Sequence, residues 1–159
     1  TKLEGDDYNF LECFLDVTKA NLFFAHGVIL IEGWAEELLV PVLAKLMKAR
    51  GIISQDLTES GVSVVNVGGT AYLRYAKIFL RTESPQIDIP VSVVTDLDVR
   101  EYEKISDDFI KRDESLVTTE KGAKMSDKSS EINEGTVRGF IAPDWTLEYS
   151  LLNSTSLFP

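Results

Sequence analysis

One cysteine and one histidine are all that 159 residues offer in the way of soft or borderline metal ligands. Zinc, which takes its protein ligands mainly from those two residue types, is therefore excluded as an expected cofactor. The single cysteine, Cys13, can form no internal disulfide. It falls in an apolar helical pattern, where a buried thiol in a reducing, cytoplasmic setting is the ordinary arrangement. No apolar run approaches the roughly 20 residues of a membrane span, and the N-terminal residues lack the layout of a signal peptide. A soluble protein with no membrane partner is expected. Basic residues are also in deficit, 16 Lys and Arg against 26 Asp and Glu, for a formal charge of −10. Such a surface repels polyanions unless cations or a basic partner intervene. At 44% hydrophobic residues the chain can enclose one core and hardly two, so residues 1–159 read as one domain.

The apolar residues that are present are arranged in alternating kinds of run. From Tyr8 to Ala25, Phe10, Leu11, Phe14, Leu15, Val17, Leu22 and Phe23 recur mostly at steps of three and four, which predicts a lead-in helix over 8–25. Val28 to Ile31 is a short β-branched run suited to a strand buried on both faces, ended by Glu32 and a turn at Gly33. Trp34, Leu38, Leu39, Val42, Leu43, Leu46 and Met47 then follow a helical period up to Gly51, with Pro41 inside it as a source of bending. The cycle repeats: residues 61–67 (GVSVVNV) read as a strand, Gly68-Gly69 as a turn, 71–80 as a helix, and IPVSVV as a third strand. Strands alternating with helices predict right-handed crossovers and an α/β, Rossmann-like parallel β-sheet of about four strands flanked by helices. In such sheets ligands sit outside the carboxyl ends of the strands. Glu32, Gly68-Gly69 and the pair Asp96 and Asp98 all fall there.

Residues 101–135 change character, with many charges and few apolar positions. They are expected to form a polar surface insertion holding a short helix near 103–111. Order returns at VRGFIA (137–142), a fourth strand, and Pro143, Asp144 and Thr146 introduce a helix at TLEYSLL. The apolar end just after that helix suggests a piece of a longer chain.

Glu32, Glu36, Asp96 and Asp98 converge if the first and third strands are neighbours. Carboxylates held together repel, and a hard divalent cation with oxygen ligands, Mg²⁺ or Mn²⁺, reconciles them. The spacing of Asp96 and Asp98 sends both to one side of an extended backbone. Each residue also has a plainer reading. Glu36 and Glu148 can complement helix dipoles, and Asp96 and Asp98 can cap the next segment. Gly68-Gly69 can be a simple turn or a backbone cradle for phosphate. His26 reads as a helix-end residue and not as a base, and Arg74, Lys77 and Arg81 as a solvated helix face.

The ordered set VILIEGWAEELLVPVLA, VSVVNVGGTAYLRYAKIFL and IPVSVVTDLD resembles the TOPRIM domain of topoisomerases, primases and several nucleases. With FLDVTKANLFFAHG before it and DWTLEYSLL after, it is most similar to the overcoming-lysogenization-defect (OLD) family of ATP-dependent endonucleases, to which the nuclease subunit of the Gabija phage-defence system is related. The resemblance implies a single TOPRIM nuclease domain in which Glu32, Glu36, Asp96, Asp98 and Glu148 hold two Mg²⁺ or Mn²⁺ ions. Glu32, Asp96 and Asp98 would be the catalytic acids, and Gly33, Gly68 and Gly69 would let a phosphate backbone approach. DNA would be the substrate and phosphodiester hydrolysis the reaction. The family also implies an ATPase domain N-terminal in the same parent chain, where ATP would bind, and a homo-oligomer formed through that parent. No GxxxxGK[ST] sequence occurs here, so ATP has no site in these residues. The family's lysine beyond the TLEY-like helix has no counterpart before Pro159, and Lys121 is a poor substitute; the isolated domain is expected to cut weakly or not at all. Two alternatives stand beside this: a non-catalytic TOPRIM scaffold that grips DNA or protein through Mg²⁺, and a haloacid-dehalogenase-like phosphatase, whose strand-DxDx[TV] string TDLDV satisfies.

Overall fold

The computed structural model describes residues 4–14, 20–69, 71–84 and 86–154. Four β-branched runs become strands β1 (Gly27–Ile31), β2 (Val62–Asn66), β3 (Val91–Thr95) and β6 (Val137–Ile141), which form one parallel sheet in the order β2-β1-β3-β6. Leu30 lies opposite Val65 on one side and Val93 on the other, and Val93 lies opposite Gly139. The same register sets Ile31 beside Asn66 and Val94, so the strands end level with one another and release Glu32 and Asp96 at a common rim.

Right-handed crossovers decide which face each helix covers. The step from β1 to β2 runs one way across the sheet, and the steps from β2 to β3 and from β3 to β6 run the other way. Helix α2 (Trp34–Ala49) therefore lies on one face, and α3 (Tyr72–Phe79) and α4 (Glu114–Ile132) lie on the other. The α3 side is the denser. Tyr72, Tyr75, Ala76, Ile78 and Phe79 pack with Leu22, Val28, Leu30, Val65, Val91, Val93, Ile132 and Val137 in one cluster. Each large aliphatic side chain buried there contributes about 1.5–3 kcal/mol. Helix α2 carries Pro41 within it, and only Glu36 and Ala44 of its residues are fully buried. Its stripe Trp34, Leu38, Val42 and Leu46 is exposed, although the helical period had suggested a buried face.

The lead-in helix is shorter and earlier than the periodicity suggests. It is α1 (Gly5–Phe14), with Asp6 and Asp7 in its first turn, and Asp7 accepts from the Glu4 N–H. Residues Ala20–Phe23 form a separate 3-10 turn that sets Leu22 in the core; residues 15–19 of the expected helix and the Cys13 side chain lie outside what is described. Arg74 and Lys77 do not simply face solvent. The Arg74 guanidinium lies 5.0 Å from the Phe10 ring centre, and Lys77 pairs with buried Asp7 at 3.0 Å, fastening α3 to α1.

Residues 101–135 are the largest departure from the sequence reading. In place of a short helix near 103–111 there is a hairpin, β4 (Tyr102–Ile105) and β5 (Asp108–Lys111), followed by the 19-residue α4. The two-residue turn has Ser106 in the left-handed region (φ 58°), as tight hairpin turns require. All eight hairpin strand residues are exposed, so no burial-driven alternation marked them as strands. Helix α4 starts at a side-chain cap: Asp113 accepts from the Ser115 and Leu116 N–H groups. It buries only Val117 and Ile132. Ile132 settles over Gly139, where an added Cβ would stand 3.0 Å from the isoleucine side chain. The fourth strand and the TLEY helix, α5 (Leu147–Leu152), are where the sequence puts them, with Thr146 as N-cap of α5.

Candidate metal and active site

The acids meet at the carboxyl ends of β1 and β3. Glu32 follows β1 directly, and the Thr95 hydroxyl, at the last residue of β3, donates to its carboxylate. Glu36 sits in the first turn of α2 and is 6% exposed. Asp96 follows Thr95, and its Oδ1 accepts the Leu147 N–H at 2.7 Å, which docks the start of α5 on the rim. Glu148, the next residue of α5, is exposed. Burial pushes the Asp96 carboxyl up to about 6, against the lowering effect of the Leu147 hydrogen bond; Glu36, Glu32 and Glu148 push it further in the same direction. Carboxylates from two other segments thus act on Asp96.

Asp98 behaves differently. Strand β3 ends at Thr95 and Asp98 lies in the left-handed region (φ 59°), while Leu97 and Val99 are buried and Asp96 and Asp98 alternate with them on the less buried side. Aspartate tolerates that conformation better than most residues. Its N–H donates to the Trp145 carbonyl at 2.8 Å, and its Oδ2 faces the Lys128 ammonium at 3.0 Å. Lys128 also donates to the Asp96 carbonyl and, at 3.4 Å, approaches the Thr95 hydroxyl.

The glycine pair makes a turn. Gly68 and Gly69 have φ of 71° and 122°, which side chains resist. Gly68 N–H donates to Asn66 Oδ1 at 2.9 Å and Gly69 N–H to the Glu32 carbonyl at 2.8 Å. Both amides are thus engaged within the protein, Gly68 with the Asn66 side chain and Gly69 with the Glu32 backbone. Gly33 has no helix-type strain; a Cβ there would stand 3.2 Å from Glu36 Oε2, so its smallness leaves room for that carboxylate. His26 is exposed at the entry to β1 and its ring packs over Gly61, at the opposite end of that strand from Glu32.

The sequence reading missed Thr95, Lys124 and Lys128, and of the α4 lysines it weighed only Lys121. Lys121 bridges Glu101 and Asp144, each at 2.8 Å, and Lys124 donates to the Asp98 carbonyl at 3.1 Å. Spacing carried the signal: positions 121, 124 and 128 lie on one face of a helix. Once α4 is known to be a helix, that face is the one turned to the rim. Arg100 stacks over Trp145 at 4.7 Å and Trp145 packs near Tyr149, closing the side of the site toward the hairpin.

Chemically the donor set is all oxygen, with a negative charge that the protein itself compensates only in part. That fits a hard divalent cation and not a soft one. Among the described residues no three acidic or histidine side chains stand in a coordinating arrangement, so the carboxylates must rotate to share an ion.

A parallel sheet in this order with acids at the ends of β1 and β3 defines a TOPRIM-type domain. Residues 23–98 match the family model described as "Overcoming lysogenization defect protein-like, TOPRIM domain". The matched segment includes Glu32, Glu36, Asp96 and Asp98. The chain is similar to the C-terminal region of the Burkholderia pseudomallei OLD protein, with 27% identity and a TM-score of 0.44, over 79% of this chain and 57% of that one. It thus spans a little over half of that solved region. No curated protein matches it. No helix among the described residues is long and apolar enough to cross a membrane.

Proposed function

We propose that this domain is the nuclease module of an OLD-like protein and cleaves DNA by divalent-metal-assisted phosphodiester hydrolysis. The observation that carries the reading is the placement of Glu32, buried Glu36 and Asp96 at one sheet rim, where Thr95 at the end of β3 donates to Glu32 and the Leu147 N–H holds Asp96 beside the start of α5. Divalent ions held there supply activation of a water and charge compensation for the departing oxygen. The chain's own part is preorganisation. Thr95 donates to the Glu32 carboxylate and the Leu147 N–H to that of Asp96, so two acids from different strands are held at one rim before substrate arrives. Glu36 contributes charge from a buried position that water reaches poorly. Mg²⁺ or Mn²⁺, DNA, an ATPase domain in the parent chain, assembly through that parent and service in phage defence all belong to this proposal.

The test is cleavage of supercoiled plasmid by the parent protein with Mg²⁺ or Mn²⁺. Asp96→Asn with Asp98→Asn, or Glu32→Gln, should remove nicking and linearisation while the circular dichroism spectrum is retained. Undiminished cleavage by the Asp96/Asp98 double variant contradicts the mechanism. A scaffold that only grips DNA is the outcome if the wild type binds plasmid with metal and never cuts it.

A further inference from the structure

We propose that Lys128 is a built-in counter-cation of the acidic rim: it positions Asp98 and the end of β3 in the metal-free protein and competes with a divalent ion for the Asp98 carboxylate. The inference rests on the proposed metal site for its second half only.

Three observations converge on it. The Lys128 side chain is 13% exposed, low for a lysine on a helix that buries only two of its nineteen residues. Its ammonium has three acceptors at the site, the Asp98 carboxylate, the Asp96 carbonyl and, more loosely, the Thr95 hydroxyl that itself serves Glu32. Lysine carries three N–H donors and no acceptor, so the set uses its full capacity. Lys124 and Lys121, on the same face of α4, hold the Asp98 carbonyl and Glu101, so the helix clasps residues 95–101 along their length.

The consequence follows from charge. The Asp98 carboxylate faces the Lys128 ammonium at 3.0 Å, whereas the Asp96 carboxylate accepts the neutral Leu147 N–H at 2.7 Å. One acid of the DxD pair is therefore already neutralised from within, and the other is not. A divalent ion that recruits Asp98 must draw it from the ammonium and accept a positive charge nearby, whereas an ion held by Asp96 and the glutamates need not. Lys128 makes the two halves of the DxD unequal.

Mn²⁺ binding by titration calorimetry on the purified protein, together with thermal unfolding in chelator, tests this. Lys128→Met should lower the unfolding temperature in chelator and tighten Mn²⁺ binding by about two- to five-fold, the range an ion pair of this exposure supports. Lys128→Arg, which keeps the charge, should behave as wild type. Unchanged or weaker Mn²⁺ binding by Lys128→Met overturns the competition. If Lys128→Met does not fold, Asp98→Asn takes its place: stability in chelator should fall because the ammonium loses its anion, and an unchanged unfolding temperature overturns the positioning role. If the wild type binds no Mn²⁺, the nuclease reading and the competition both fall, and the positioning role is still decided by a Lys128/Asp98 double-mutant cycle in chelator, where additive effects refute it.

Discussion

Thr95 donates its hydroxyl to the carboxylate of Glu32, a residue 63 positions earlier in the chain. The bond joins the ends of β1 and β3, and it exists because the two strands are neighbours in register. Thr95 is 1% exposed, so neither partner can trade this contact freely for water. Replacing Thr95 with valine keeps the shape and removes the donor. Loss of such an orienting contact costs about 1 kcal/mol of stability and roughly 10- to 100-fold in metal affinity or activity. Chemical denaturation and plasmid cleavage by Thr95→Val would check both; full activity would mean that Glu32 needs no orientation.

Asp96 sets a pH dependence whose sign is fixed. Its carboxyl is raised from 3.8 to about 6, so the folded protein holds this proton more tightly than the unfolded chain does. The contribution to stability is complete below about pH 4 and is lost as pH rises toward 6. Urea unfolding in chelator should show that decline superimposed on the rest of the profile. Asp96→Asn should flatten it and stabilise the metal-free protein near pH 7 while abolishing cleavage. Added Mg²⁺ should stabilise the wild type above pH 6 and lose that effect below it, because proton and metal compete for one carboxylate.

Gly139 is the floor on which α4 rests. A Cβ at this position stands 3.0 Å from Ile132, and a valine would press further into it. Gly139→Val should destabilise the fold by about 1–3 kcal/mol, the usual cost of overpacking. Because α4 carries Lys128, the same variant should weaken the clasp on residues 95–101, which would appear as faster hydrogen exchange at Asp96 to Asp98. Faster exchange confined to β6 would show that α4 and the rim are not coupled.

The Asp7 and Lys77 pair ties α1 to the body of the fold. Asp7 is 4% exposed, and the Glu4 N–H and Lys77 hold its carboxyl below the usual aspartate value. Asp7→Ala should cost about 1–3 kcal/mol. A group held low contributes above its ordinary value and loses that contribution as pH falls through the lowered one, so the gap between wild type and variant should close in acid. A gap that persists at pH 2 would assign the effect to packing.

The three central strands were legible because VILI, VSVV and VSVV are β-branched runs too short for helices and closed by glycine, glutamate or aspartate. The strand order was left open by the sequence, and it is the structure that puts β1 between β2 and β3 and so Glu32 at the rim it shares with Asp96. The hairpin and α4 were not legible for one physical reason. Sequence patterns record burial, and the hairpin buries none of its eight strand residues while α4 buries only Val117 and Ile132. What forms α4 is local, the Asp113 cap and a composition tolerant of helix, and neither announces itself as a period. Lys128 was hidden with it. The left-handed backbone of Asp98, three residues past the end of β3, left no mark in the sequence pattern.

The central claim is that acids far apart in sequence serve one ion site. A crystal soaked with Mn²⁺ and measured at the manganese absorption edge addresses it directly. Anomalous peaks between the ends of β1 and β3, within bonding reach of Glu32 and Asp96, are the predicted result. Manganese bound elsewhere, with that rim empty at saturating concentration, would contradict it.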